Sequence, residues 1–278
     1  MKLAINYSPQ AKTLAEQQAI ELDLFKCPSA SEGVAGEYAP TLLQDAGACR
    51  PIYIHFPLHA GNGSMAATDW EEVEEALRQT GTSYVNVHLQ AQVKDFPGMT
   101  AETHAPGDVA RLTETFIQDI TMLTARFGPS RVIVENVVYR GAEGKVLYPC
   151  IDPAVLSQVV AETKCGFLLD TAHARLTCLA LGRSVKEYIE ELPMTQLKEL
   201  HVTGAQSDGQ RVRDSMPMGT DDWDLVEWVL QQVREGRFAK PWALAFEYGG
   251  VGPGFEWRSE AAVIAEQLPR LRTLINTI

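Results

Sequence analysis

The stretch Gly166-Phe167-Leu168-Leu169-Asp170-Thr171-Ala172-His173 runs from apolar residues straight into an acid and a histidine three positions apart. A carboxylate and an imidazole at that spacing can hold a divalent cation or pass a proton. The plainer alternative is a capping Asp and a surface His. The same ending recurs along the chain. Residues 51–57 carry His55 with His59 just beyond, 83–90 carry His88, 131–137 carry Glu135, 196–204 carry His201 and 241–248 carry Glu247. Any one of these histidines is more often an ordinary core or surface residue than a ligand. Besides His59, four of the six histidines, His55, His88, His173 and His201, fall at or just past the ends of apolar runs, and an acid ends three of the runs.

The elements that must position these groups can be read from pattern. Apolar runs of strand length begin at Lys2, Leu22, Pro51, Ser83, Arg131, Gly166, Gln196 and Pro241, and unbroken apolarity suits strands covered on both faces. Between them lie helical stretches. Ala11 to Ile20 follows the Ser8-Pro9 break, and a weak helix is placed between Ser31 and Gly47. Thr68-Asp69-Trp70-Glu71 reads as a capping box, and Asp108 to Phe127 is amphipathic and stopped by Gly128-Pro129. Asp152-Pro153, Ser184 and Thr220 open further helices, and Ser259 to Ile278 closes the chain. Asp170 and His173 are expected where the sixth strand opens into a loop.

Eight strands alternating with about eight helices, with no linker, predict an α/β chain: a (β/α)8 TIM barrel in a single domain over residues 1–278. An open doubly wound sheet would place a Gly-rich phosphate turn after its first strand, and Asn6-Tyr7-Ser8-Pro9 is not one. With 45% hydrophobic and 22% charged residues the chain can bury a full core. Its five cysteines are scattered without a C-x-x-C pair, which points to a reducing, cytoplasmic setting. Neither a secretion signal nor a membrane span is expected. A net charge of −12 without a basic cluster argues against a nucleic-acid partner.

In a barrel the carboxyl ends of all strands meet on one face, so His55, His88, Glu135, Asp170, His173, His201 and Glu247 are expected to converge. Asp214, in the loop after the seventh strand, joins them. Three carboxylates and four imidazoles cannot share an apolar mouth as bare charges, and divalent metal resolves the conflict. Lys26 either faces the mouth, as a substrate contact, or is solvated.

The order Glu135, Asp170-x-x-His173, His201, Glu247 resembles the divalent-metal TIM barrels of the xylose-isomerase-like superfamily. LLDTAHA is similar to the corresponding strand of endonuclease IV. VIVENV, ELHVTG and Asp214-Ser215-Met216 resemble the multinuclear non-haem iron oxidase-like family. The resemblance implies that Glu135 bridges two metals, with Asp170, His201 and Glu247 around one and His55 and His88 around the other. Both multinuclear families have a histidine where this chain has Met216. A thioether is a poor partner for Zn, Mn or non-haem Fe beside a carboxylate, so two ions are expected, with His173 acting as a hydrogen-bond partner or substrate contact.

A mixed imidazole and carboxylate set suits Zn, Fe or Mn alike. The leading expectation is a metal-dependent enzyme that isomerises, epimerises or hydrolyses a small carbohydrate-like or other small substrate, with Glu135 and Glu247 as acid and base. The alternatives are an iron oxidase modifying a peptide, an endonuclease IV-like repair enzyme, which the acidic charge opposes, and a barrel that binds metal or ligand without turnover.

Overall fold

Strands form where short apolar runs are bounded by polar or turn residues, and their burial shows why. Leu3, Ala4 and Ile5 of the first strand and Val132, Ile133 and Val134 of a middle one are fully buried, as a strand covered on both faces requires. The computed structural model describes residues 1–28 and 39–278. It begins β1 (Lys2–Asn6), α1 (Pro9–Glu16), β2 (Leu24–Pro28), α2 (Ala39–Cys49), β3 (Ile52–His55), β4 (His59–Ala60) and α3 (Trp70–Thr80). It continues β5 (Val85–Leu89), α4 (Pro106–Phe127), β6 (Val132–Glu135), α5 (Pro153–Thr163), β7 (Gly166–Asp170), α6 (Thr171–Leu181) and α7 (Val185–Glu191). It ends β8 (Leu197–Val202), β9 (Gly204–Ser207), β10 (Val212–Met216), α8 (Thr220–Arg234), β11 (Ala243–Phe246) and α9 (Ala261–Ile275).

The chain forms two compact units. The first holds Met1–Pro57, Trp70–Ser83 and Glu199–Ile278. Its parallel strands lie in the order β3-β2-β1-β11-β8, with Asn6 beside Lys26, Pro28 beside His55, and Ala245 beside His201. The second holds Leu58–Asp69 and Tyr84–Lys198. Its parallel strands lie in the order β4-β5-β6-β7, with His59 beside His88, His88 beside Glu135, and Glu135 beside Leu168.

All eight expected strands are present, and the helices that separate them give the expected α/β class. Several local expectations are corrected. No loop follows the sixth expected strand: β7 runs directly into α6, because Asp170 caps that helix, its Oδ1 accepting from the His173 N–H at 2.8 Å. The chain beyond β8 is not a simple loop but the antiparallel hairpin β9–β10, so Asp214 sits on a strand. Asp222 anchors that hairpin to α8, accepting from the N–H groups of Ala205 at 3.2 Å and Gly219 at 2.8 Å. Asp152 and Ser184 cap α5 and α7 as expected. The helix placed between Ser31 and Gly47 is present in its second half as α2, and residues 31–38 lie outside the described residues. No helix among the described residues is long and apolar enough to cross a membrane.

Asp23 joins three segments of the first unit. Its Oδ2 accepts from the Leu3 N–H at 2.7 Å and lies 3.0 Å from Arg272 Nη1 on α9. Burial alone would raise the Asp23 carboxyl, but the Arg272 guanidinium and the Leu3 N–H outweigh it and hold it below its usual value. A depressed carboxyl contributes stability above its unfolded pKa of about 4, and that stability is lost as pH falls through the lower folded value. Asp23→Asn should therefore cost about 1 kcal/mol near neutral pH, the site being part-exposed, and less in acid. Urea denaturation at both pH values checks this, and identical midpoints for the two proteins at neutral pH would count against it.

Candidate metal centre

In the second unit the register does most of the positioning. His88 and Glu135 are partners across β5 and β6, so their side chains leave the same face, and His88 Nε2 lies 3.2 Å from Glu135 Oε2. Glu135 pairs with Leu168, two residues before Asp170, which puts Asp170 on that face as well. The other Glu135 oxygen, Oε1, lies 3.6 Å from His173 Nδ1, and His173 Nε2 lies 3.8 Å from Asp170 Oδ2. Ligand atoms of Glu135, Asp170 and His173 all fall within 4.8 Å of one another.

Backbone carbonyls fix the two rings. A carbonyl can only accept, so His173 Nδ1, 2.9 Å from Asn136 O, must be the protonated nitrogen, leaving Nε2 with its lone pair towards Asp170. His88 Nδ1 meets Leu58 O at 3.2 Å in the same way, leaving Nε2 to face Glu135. Asn136 also exchanges two hydrogen bonds with the Asp170 backbone, at 3.0 and 2.8 Å, tying the ends of β6 and β7 together. His59 stacks on His88 with ring centres 5.2 Å apart. Burial and then the neighbouring His88 push His59 down to about 4, against the pull of Glu135.

Glu135 is 1% exposed and Asp170 is fully buried. Two carboxylates at that depth and spacing, beside imidazoles that present lone pairs, form a donor set suited to a divalent cation. Asp170 is both a cap and a candidate ligand, one oxygen for each task, so the two readings of this residue are compatible.

In the first unit His201 is fully buried, with an acid on either side of its ring. Its Nε2 meets Glu199 Oε1 at 2.9 Å, and its Nδ1 lies 3.0 Å from Glu247 Oε1. Glu199 also accepts from Tyr53 Oη at 2.8 Å and from Trp242 Nε1 at 3.3 Å. The His55 ring centre lies 5.1 Å from that of His201. Lys26 is 5% exposed and pairs with Glu247, so the solvated reading of Lys26 is corrected: β2 turns it inward against an acid.

Each unit thus gathers its own share of the expected residues: His88, Glu135, Asp170 and His173 in one, and Lys26, His55, His201 and Glu247 in the other. Asp214, on β10, enters none of the three-residue ligand groupings found among the described residues. Glu199 and Asn136 are absent from the sequence-based set. Glu199 was detectable, since it lies two residues before His201 and so on the same strand face. Asn136 carried no such signal, because its neighbour Glu135 occupies the ligand face.

Glu199 serves as a positioning residue, fixing the His201 tautomer so that Nδ1 keeps a lone pair. Glu199→Gln should weaken metal binding about 10- to 100-fold while the protein stays folded. Competition against a chromophoric chelator measures it, and unchanged affinity would reduce Glu199 to a packing role.

Comparison with known proteins identifies the fold. The 3-keto-D-glucoside 4-epimerase YcjR of E. coli aligns with a TM-score of 0.58 and 14% identity, over 98% of this chain and 99% of that one. A D-allulose 3-epimerase from Methylomonas sp. aligns with a TM-score of 0.57 and 13% identity, over 98% and 96%. At such identity the likeness shows the fold alone, a (β/α)8 TIM barrel. A UPF0276 protein of Bordetella pertussis is 32% identical over 82 residues, 27% of this chain and 28% of that protein's length. The model of the MbnB/TglH/ChrH enzymes matches residues 61–239. The chain belongs to this family, the RiPP precursor modification enzymes MbnB/TglH/ChrH.

Proposed function

We propose that this protein is a metal-dependent enzyme that modifies a ribosomally made precursor peptide. The reading makes residues 1–278 one domain, acting in the cytoplasm on a peptide rather than a nucleic acid. What carries it is family membership joined to the buried carboxylates of Glu135 and Asp170, acids that folding alone does not need. Of the readings open from the sequence, the peptide-modifying iron oxidase now leads.

In this reading His55 and His88 would hold one ion and Asp170, His201 and Glu247 the other, with Glu135 serving both. The two oxygens of Glu135 face different imidazoles, His88 and His173, which suits a bridging carboxylate. Bound iron would supply Lewis acidity and redox capacity at an open position. The chain supplies the rest. Glu247, between His201 and Lys26, could hold a proton or pass one, and Lys26, paired with that carboxylate, would be the substrate contact. Met216 offers a third ion no imidazole, and His173 serves chiefly to orient its neighbours or the substrate. The five cysteines form no disulfide, in keeping with a reducing compartment.

A second reading remains, epimerisation or isomerisation of a small sugar. A cavity of about 390 Å³ beside Lys26, His55 and Glu247 favours it, being of a size for a small molecule.

Co-expression with a precursor peptide and the products of neighbouring genes, followed by mass spectrometry, separates these. The expected result is a peptide mass change that requires added iron and disappears in Glu247→Gln. Epimerisation of D-fructose with the peptide left unchanged would favour the sugar reading. Bound metal without either reaction would mark a non-catalytic barrel.

A further inference from the structure

Ala4, Leu24, Tyr53 and Ala245 form a buried layer in the first unit. Side chains alternate along a strand, so two residues further on each segment faces the same way again. Those residues are Asn6, Lys26, His55 and Glu247, and all four line the cavity of about 390 Å³. Lys26, His55 and Glu247 have a place in the proposed site, whereas Asn6 has none. Backbone contacts fix its position from both sides. Asn6 pairs with Lys26 across β1 and β2, and the next N–H, that of Tyr7, donates to Lys26 O at 2.9 Å. Towards β11, Gly249 at φ 125° passes so close that a Cβ there would meet Asn6 O at 2.8 Å.

The Asn6 amide has no hydrogen-bond partner among the described residues, and its Oδ1 is also closed off from solvent. An amide left in that state weighs against folding, where an apolar side chain like that of Ala4 would not. With Oδ1 turned into the wall, the NH2 end is the polar part that the side chain presents to the cavity. A neutral donor suits a neutral acceptor, and the charge beside it, on Lys26, is already matched by Glu247. The neutral acceptor common to a peptide and a keto sugar is a carbonyl oxygen. We infer that Asn6 binds the substrate by donating from Nδ2 to a carbonyl oxygen, that of the peptide group next to the residue being modified. This rests on the peptide reading above. The contact would hold that residue beside Lys26 and Glu247, and Asn6 takes no part in proton transfer.

Exchange of one carbonyl oxygen for sulfur tests this on the metal-loaded protein, since a thioamide keeps the outline and N–H of an amide but accepts a hydrogen bond poorly. N-acetylalanine methylamide and its two single thioamide analogues serve as peptide probes, with D-fructose as the sugar probe, all titrated by calorimetry. The native protein should bind the amide about fivefold more tightly than one of the thioamides. In Asn6→Leu and Asn6→Asp that preference should vanish, because neither side chain donates at neutral pH, and taking the ratio within each variant removes effects of packing. A preference that survives in both variants, thioamides bound as tightly as the amide by the native protein, or no binding of any peptide probe would overturn the proposal. Weaker D-fructose binding in both variants, with the peptide preference unchanged, would overturn it too and give the carbonyl to a sugar. Metal content measured on each variant shows that the centre is intact. The two readings fail separately: no peptide modification with the preference confirmed sinks the peptide reading, while modification at unchanged KM in Asn6→Leu sinks the Asn6 contact.

Discussion

Buried carboxylates impose the constraint on which the second unit depends. Glu135 and Asp170 end apolar strands at 1% and 0% exposure, where charge is tolerated only if it is compensated. Parallel strands supply the backbone geometry, delivering Glu135 and His88 in register and Asp170 one strand over. Asp170 meets part of its own requirement by capping α6, leaving its other oxygen for the grouping with Glu135 and His173. A cation would meet the rest, which ties the electrostatics of the fold to the chemistry proposed for it.

The surrounding structure works largely by fixing protons. Backbone carbonyls of Leu58 and Asn136 assign the tautomers of His88 and His173, and the Glu199 carboxylate holds His201 by Nε2. Each ring then offers its other nitrogen towards an acid. Tyr53 and Trp242 hold Glu199 in turn, so the orientation of one imidazole reaches back into the packed layer of Ala4, Leu24, Tyr53 and Ala245. Core packing and site geometry are therefore hard to vary independently in the first unit.

Much of this was legible in the sequence because strand ends and ligands coincide. The eight apolar runs and the acids and histidines that end them were visible as pattern, and the α/β class followed from their alternation. Less visible was whatever depends on contacts across strands. Lys26 reads more readily as solvated than as inward until β2 is seen to pair it with Glu247, and Asp214 reads as loop until β9 and β10 form their hairpin. The helix after Asp170 was hidden by the same residues that made the stretch look functional, since an acid before Thr-Ala-His serves equally well as cap and as ligand. Asn136 left no trace in the pattern because its role is to bridge backbone.

The central claim is that Glu135 is shared between two ions while His173 serves at most one. Elemental analysis of the native protein, Glu135→Gln and His173→Gln, each purified without chelator or affinity metal and dialysed exhaustively, tests it most directly. The account predicts about two divalent ions in the native chain and a larger loss in Glu135→Gln than in His173→Gln. Equal metal content in the two variants, or three ions retained by the native chain, would contradict it.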